Sequence, residues 1–334
     1  MTLMLSRSEV DRYLVMEELI NEMEAGFLAF SDGKVEMPHR IRLATTDGSG
    51  YGAFMPCYMP GQGLCIKINT NFRDNADQGL PRILGLLVLL DTVTGMPLAI
   101  MDSTAITAFR TAAVSGVAVR YLSRENSEVL GILGAGVLSV PHMVAASAVR
   151  PIRTIKVYSP HLSTRKEEFA RVARAAVGAT VEIMRSAEEA VIGADIVVTC
   201  TSSTSPVLDG RWLESGTCIV AVGNASPGSR ELDTATVMRS RVICDSWRAC
   251  ILEAGDLLLP IKEGSITDSD IKRDLGDVLK QHELAESSEL VLFKSVGLAF
   301  EDLIAARYVY SKAISSRTAS RFEFFDTTLK AVAD

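Results

Sequence analysis

The sequence predicts an α/β chain with two parts, a doubly wound parallel sheet and a second, α+β domain. Three observations carry this. From Glu128 onward short apolar runs alternate with helix-compatible segments. Between Val35 and Met101 the apolar runs are joined by turn signals and not by helices. Where the alternation begins stands a glycine-rich turn, Gly134-Ala135-Gly136.

Length and composition agree with two globular domains. The chain has 334 residues, 48% hydrophobic and 22% charged, enough for a substantial core. A net charge of −7 without a basic run excludes the footprint of a nucleic-acid or anionic-membrane binder. The six cysteines contain no C-x-x-C pair and several lie in apolar runs, as small core residues of a reducing compartment do. Nothing near Met1 reads as a signal peptide, and the apolar run 84–90 is far too short to span a bilayer, so a cytoplasmic protein is expected. His39, His142, His161 and His282 are scattered, so a metal site is not expected.

In chain order, residues 5–31 carry apolar positions at helical spacing (Val10, Leu14, Leu19, Ile20, Met23, Phe27) and Gly33 closes them, which predicts one or two helices. Apolar runs at 51–55, 64–68, 84–90 and 98–101, with hairpin turns at 47–50 and 92–95, predict an antiparallel or mixed sheet. Its open edges call for cover, which a second copy would provide. Ser103 is placed to cap a long helix over 104–122, whose small residues imply close packing on several sides. The run 128–133 then enters Gly134-Ala135-Gly136 and a helix over 137–149, the Rossmann-type strand, turn and helix. Further strands are expected at 154–158, 181–184, 195–200, 218–222, 242–244 and 290–295, with a helix at 163–176 capped by Ser163 or Thr164. A last helix at 298–315 returns to the first domain.

At the turn, Gly134 lets the backbone bend and Gly136 removes the side chain that would hold a pyrophosphate away from the helix N-terminus. Ser139 stands where the third glycine of the fingerprint would be. Ligands of such sheets lie at the carboxyl ends of the strands, here 134–137, Ser159, 201–203 and 223–225. The residue after the second strand selects the dinucleotide. Tyr158 is followed by Ser159 and no acid, and Ser159 with Arg165 could meet a 2′-phosphate, which favours NADP over NAD; the alternative is an Arg165 merely solvated on its helix. Arg110 stands among apolar residues, where it would hold an anion in two-pronged fashion or pair with Asp102 or Asp302. Lys67 alternates with Ile66 and Ile68, so it shares a face with Cys65 and Asn69, most simply a solvated one.

Four segments together resemble the ornithine cyclodeaminase/mu-crystallin family: Thr107-Ala-Phe-Arg110-Thr111, Gly134-Ala135-Gly136-Val137-Leu138-Ser139, the run from Val222-Gly223 to Glu231-Leu-Asp233, and Phe293-Lys-Ser295-Val-Gly297 to Asp302. Met55-Pro56 and Leu89-Leu90-Asp91 fall in the same order. The resemblance implies a substrate-binding and dimerisation domain from residues 1–123 with 304–334, and a Rossmann domain from 124–303. It implies a homodimer, and a small amino or imino acid held by its carboxylate on Arg40, Lys67 and Arg110. Thr111, Gly136, Val137, Leu138, Thr201, Val222 and Ser295 match cofactor-contacting positions. Lys67 would also polarise or protonate an imine nitrogen, provided burial lowers its pKa.

Two departures bear on the reaction. Cyclodeaminases of the family carry an aspartate where Ala225 stands and an acid where Ala53 stands. Without them the deamination of a diamino acid lacks its acid/base group and a partner for the second ammonium. The resemblance therefore implies an NAD(P)-dependent oxidoreductase of an α-amino or α-imino acid. The alternatives are a cyclodeaminase using Asp302 or Glu231 instead, and a non-catalytic ligand-binding protein.

Overall fold

The computed structural model describes residues 1–162, 165–282, 288–316 and 319–325. The chain divides into two compact units. One comprises Met1–Leu14, Lys34–Thr107 and the chain from Asp302; the other comprises Val15–Gly33 and Ala108–Glu301.

The first unit opens with strand β1 (Thr2–Leu5) and helix α1 (Arg7–Tyr13), which a Ser6/Glu9 capping box starts, the Ser6 N–H donating to Glu9 Oε2 at 2.9 Å. Helix α2 (Met16–Ser31) belongs to the other unit. There follow β2 (Ile41–Ala44), β3 (Gly50–Met59), β4 (Gly63–Phe72), β5 (Ile83–Leu90) and β6 (Pro97–Asp102), an antiparallel meander to whose last strand β1 adds in parallel. Side chains at the reverse turns replace lost ladder bonds: Asp47 Oδ1 accepts from the Ser49 N–H and Asp91 Oδ1 from the Thr94 N–H.

Register decides the two faces of this sheet. Ala53, Met55 and Cys57 stand opposite Asn69, Lys67 and Cys65, and this face, with Leu87, Leu89 and Met101, is buried. The opposite face is apolar as well but open: Ile41, Leu43, Leu64, Leu84 and Leu86 are all exposed, Leu43 by 62% and Leu86 by 54%. What lacks cover is thus a broad face as well as the edges that the strand pattern exposes.

Helix α3 (Ser103–Leu122) is started by Asp102, not by Ser103. Asp102 Oδ1 accepts from the Ala105 N–H at 2.9 Å and the Thr104 hydroxyl at 2.7 Å, whereas the Ser103 hydroxyl turns to Asn69 Oδ1 at 2.5 Å. The carboxylate takes the cap because it stands one residue further back.

The second unit is built on β7 (Val129–Leu133), β8 (Thr154–Tyr158), β9 (Thr180–Ile183), β10 (Ile196–Thr199), β11 (Cys218–Ala221), β12 (Arg241–Cys244) and β13 (Val291–Lys294). Its spatial order is β9-β8-β7-β10-β11-β13-β12, and every pairing is parallel. The order reverses between β7 and β10, the switch point at which such sheets receive a dinucleotide. Helices α4 (Ser139–Val149), α5 (Lys166–Ala176) and α6 (Ala187–Val191) follow the first three strands; α7 (Thr234–Met238), α8 (Trp247–Glu253), α9 (Gly255–Lys262) and α10 (Leu275–Gln281) surround the last ones. Parallel strands covered on both faces lose alternation, and β10, β11 and β13 are buried at every position. The last helix, α11 (Ala299–Ala313), and strand β14 (Ser320–Phe322), which pairs with β1, close the described chain. Among the described residues no helix is long and apolar enough to cross a membrane.

Candidate active site

The turn between β7 and α4 is shaped for a pyrophosphate. Gly134 has φ +118° and a side-chain carbon there would lie 2.8 Å from the Cys200 carbonyl, so only glycine fits. Its N–H donates to Tyr158 O at 2.9 Å, locking the turn to the second strand. A carbon on Gly136 would instead meet nothing within 4 Å. That open space, flanked by half-buried Ala135 and by Val137 at 69% exposure, is where phosphate oxygens would approach the backbone. No side chain caps α4, whose N-cap is Leu138; the Ser139 N–H turns back to Gly136 O at 3.1 Å and Pro141 has no N–H, so a ligand here would meet the backbone of the turn itself. Ser139 is fully buried and its hydroxyl donates to Gly136 O at 2.7 Å; its part is to fix the turn from behind.

Behind the turn lies His142, buried between Leu138 O, 2.6 Å from Nδ1, and the Ser115 hydroxyl, 3.0 Å from Nε2. Burial pushes its pKa down to about 4, so the ring is neutral at pH 7 and Nδ1 carries the proton given to Leu138. The Ser115 hydroxyl, with one proton for both, also lies 3.0 Å from the carbonyl of Thr111, which is itself buried on α3.

After β8, Ser159 is half-buried and brings no carboxylate. Arg165 is exposed at the start of α5 and leans on Glu168 at 3.4 Å. The expected caps Ser163 and Thr164 lie outside the described residues.

The loops leaving β10, β11 and β13 are tied to one another by buried acids. The Thr201 N–H and hydroxyl donate to Glu231 Oε1 at 2.6 and 2.7 Å, and the Gly223 N–H donates to Oε2 at 2.8 Å. Three donors identify Glu231 as an ionised carboxylate, although burial raises its pKa and Lys294 only partly offsets that. Val222, between them, is half-buried and its N–H continues the ladder to Thr199 O at 3.0 Å. Asp245 does the same for the loop after β13, its Oδ2 accepting from the Ser295 hydroxyl and the Val296 and Gly297 N–H groups, each at 2.8 Å. The hydroxyls of Thr201 and Ser295 therefore serve the loops, leaving main chain to face a cofactor.

In the first unit Lys67 is 2% exposed, its Nζ 2.6 Å from Asp302 Oδ2 and 3.5 Å from the Thr107 hydroxyl. Its face is the buried one, so the solvated-strand explanation fails: the isoleucines beside it, not the lysine, point to the open side. Arg40 is half-buried one residue before β2, and the alternation of β2 gives it the parity of Arg42, opposite Ala53 on Lys67's side of the sheet.

In the second unit Arg110 is 5% exposed and ion-paired to Glu301; Asp102 caps α3 and Asp302 pairs with Lys67. Gly297, with φ +77°, lies flat against the guanidinium, and any side-chain carbon there would fall on it. Sequence reasoning missed Gly297, Asp245, Asp256 and Lys294; a lysine ending the apolar run Val291–Lys294 was the one visible signal.

Known proteins match this chain over nearly its whole length. The sequence profile of the ornithine cyclodeaminase/mu-crystallin family covers residues 1–317. The chain belongs to that family. It is 34% identical over 318 residues to the ketimine reductase mu-crystallin of Rattus norvegicus, covering 94% of this chain and 98% of that protein. Its fold matches Thermococcus litoralis Δ1-pyrroline-2-carboxylate reductase, solved in complex with NADH and L-proline, with a TM-score of 0.92 and 35% identity over 96% of this chain and all of that one (100%). An archaeal alanine dehydrogenase dimer with bound NAD matches with a TM-score of 0.89 and 31% identity, covering 97% and 99%.

Proposed function

We infer that this chain is an NAD(P)-dependent oxidoreductase of α-amino and α-imino acids, working as a cyclic imine reductase or an amino-acid dehydrogenase. The observation that carries the reading is Lys67, an ammonium at 2% exposure held 2.6 Å from an equally buried Asp302, in a chain that also keeps the Gly136 cradle. An ammonium so placed on a buried sheet face suits a functional role better than a solvated one.

The reduced nicotinamide supplies a hydride when bound. Gly134, Ala135, Gly136, Val137, Leu138 and Ser139 form the turn that would hold its pyrophosphate, and Thr111, Thr201, Val222 and Ser295 would border the rest. Arg40, Lys67 and Arg110 are assigned to the substrate: the guanidiniums fix the carboxylate, and Lys67 polarises the imine nitrogen and gives it the proton that makes the amine. Asp302 and Glu301 hold Lys67 and Arg110 in place.

The departures support reduction over cyclodeamination. Ala53 lies on the buried face with Met55 and Lys67, and Ala225 stands in the loop after β11; neither brings a carboxylate. Asp302 and Glu231, the acids that could substitute, are taken by Lys67 and by the loop main chain. For the cofactor, the missing acid at Ser159 and the nearby Arg165 favour NADP. A second copy of the chain is proposed to cover the apolar sheet face, as the dimeric archaeal relative suggests. Six buried free thiols fit the reducing cytoplasm.

The test is oxidation of NADPH or NADH by the purified protein with a panel of cyclic imino acids, and with keto acids plus ammonia. Turnover with any of them is the expected result. Ammonia released from L-ornithine without net change of cofactor would replace this reading with a cyclodeaminase, and no turnover at all with tight cofactor binding would leave a binding protein.

A further inference from the structure

Lys294 closes β13, the strand next to the edge of the Rossmann sheet, with no exposed surface, where a lysine needs strong compensation. Its Nζ is 2.7 Å from Asp256 Oδ2 and donates to the carbonyl of Asn224 at 2.8 Å. Burial pulls its pKa down, but Asp256 and Glu231 more than offset this, so the ammonium stays charged. Asp256 is equally buried; its Oδ1 accepts the N–H groups of Glu231 at 2.6 Å and Leu232 at 3.0 Å. Glu231 in turn grips Thr201 and Gly223. The Asn224 side chain completes the ring by donating to Ser203 O at 2.8 Å.

Every branch of this network ends on the chain leaving β10, which borders the switch point, or its neighbour β11. The partners given for its three charges lie on Thr201, Gly223, Asn224, Glu231 and Leu232, and on one another. We propose that Glu231, Asp256 and Lys294 are positioning residues that set the Thr201, Val222–Asn224 backbone against the nicotinamide half of the cofactor, independently of the adenine half held by the Gly134–Ser139 turn. This rests on the oxidoreductase reading. Because Lys294 holds the carbonyl just before Ala225, it also fixes the loop at the position where cyclodeaminases carry their aspartate.

The alternative is a merely structural ion cluster, and the two differ in what a variant loses. A buried ionic network can be removed in balance: Lys294→Met with Asp256→Asn takes away one charge of each sign and keeps an amide oxygen for the Glu231 and Leu232 N–H groups. Dissociation constants are measured for the full reduced cofactor and for ADP-ribose or its 2′-phosphate, which lack nicotinamide, together with kcat and the substrate KM. The expected result is unchanged binding of the truncated ligand. The full cofactor's advantage over it falls at least tenfold and kcat falls about 10- to 100-fold, as misplacement of a reacting ring by a fraction of an ångström entails. The substrate KM stays within about threefold.

Should the double variant fail to fold, Glu231→Gln, which removes one charge from the ring, gives the same comparison. Equal weakening of both ligands, or no change in either with kcat intact, would overturn the proposal. Absence of turnover in the unmodified protein would defeat the oxidoreductase reading, while the ligand comparison would still judge the network.

Discussion

Acidification should strike this protein first at His142. The imidazole is buried in α4, with Leu138 O 2.6 Å from Nδ1 and Ser115 Oγ 3.0 Å from Nε2, and burial lowers its pKa from 6.5 to about 4. The sign follows from proton counting. Between pH 6.5 and 4 the unfolded chain binds a proton at this residue that the folded chain refuses, so stability is whole above pH 6.5 and falls as the pH drops. From the two pKa values the loss is about 2 kcal/mol at pH 5 and about 3 kcal/mol at pH 4. For a unit of this size that is roughly 4–8 °C in melting temperature at pH 5. The assay is thermal or urea unfolding at pH 7.5 and pH 5 for the protein and for His142→Asn, which keeps a donor for Leu138 O but cannot titrate. The variant is expected to be less stable at pH 7.5, with the gap closing by about 2 kcal/mol at pH 5. Parallel losses in both proteins would refute the assignment of the acid sensitivity to His142.

The remaining predictions concern the site and its surroundings. Gly297→Ala places a carbon on the Arg110 guanidinium and should lower kcat/KM for the imino acid about 10- to 100-fold while cofactor affinity holds, measured by steady-state kinetics and by titration. Arg165→Ala should lower kcat/KM with NADPH about tenfold and leave NADH unaffected, checked with both cofactors at one substrate concentration. Leu43→Asp with Leu86→Asp puts two charges on the open apolar face and should turn a dimer into a monomer in light scattering. Asp274, whose carboxyl burial raises to about 6 while it accepts the Trp247 N–H, acts with the opposite sign to His142. Its ionisation opposes folding, so relative to Asp274→Asn the protein should lose stability as pH rises from 4 to 6, read from paired melting curves.

How far the sequence disclosed this molecule depends on whether the relevant contrast was local. The Gly134 turn is local: a strand, a forced positive φ and a helix start all lie within a dozen residues, and nothing elsewhere in the chain could mask them. The parallel sheet was legible for the same reason, from alternation of strands and helices, but its order was not. That β13 inserts between β11 and β12 is settled by crossover packing, which leaves no mark on either strand because each is an apolar run with a single cation at one end, Arg241 or Lys294. Lys67 shows the same limit at a smaller scale. Alternation placed it correctly opposite the isoleucines, yet period-two patterning reveals the core face only when the other face is polar. Here both faces are apolar, so the lysine was assigned to the wrong environment while its register was right.

The buried acids mark where sequence reasoning stops. Glu231 and Asp245 sit in loops and Asp256 in the first turn of α9, where acids are ordinary, and their partners lie in other segments: Glu231 reaches back to Thr201, Asp256 forward to Lys294. Lys294 alone carried a signal, since a lysine at the end of an apolar strand is costly unless paired. A cation forced into such a strand must have an acid nearby, and an acid placed there must be anchored by backbone donors. The main chain at the strand ends is thereby fixed before any ligand arrives. By this reasoning the site's rigid half was implicit in one residue of β13, and what the sequence withheld was only which acids answer it.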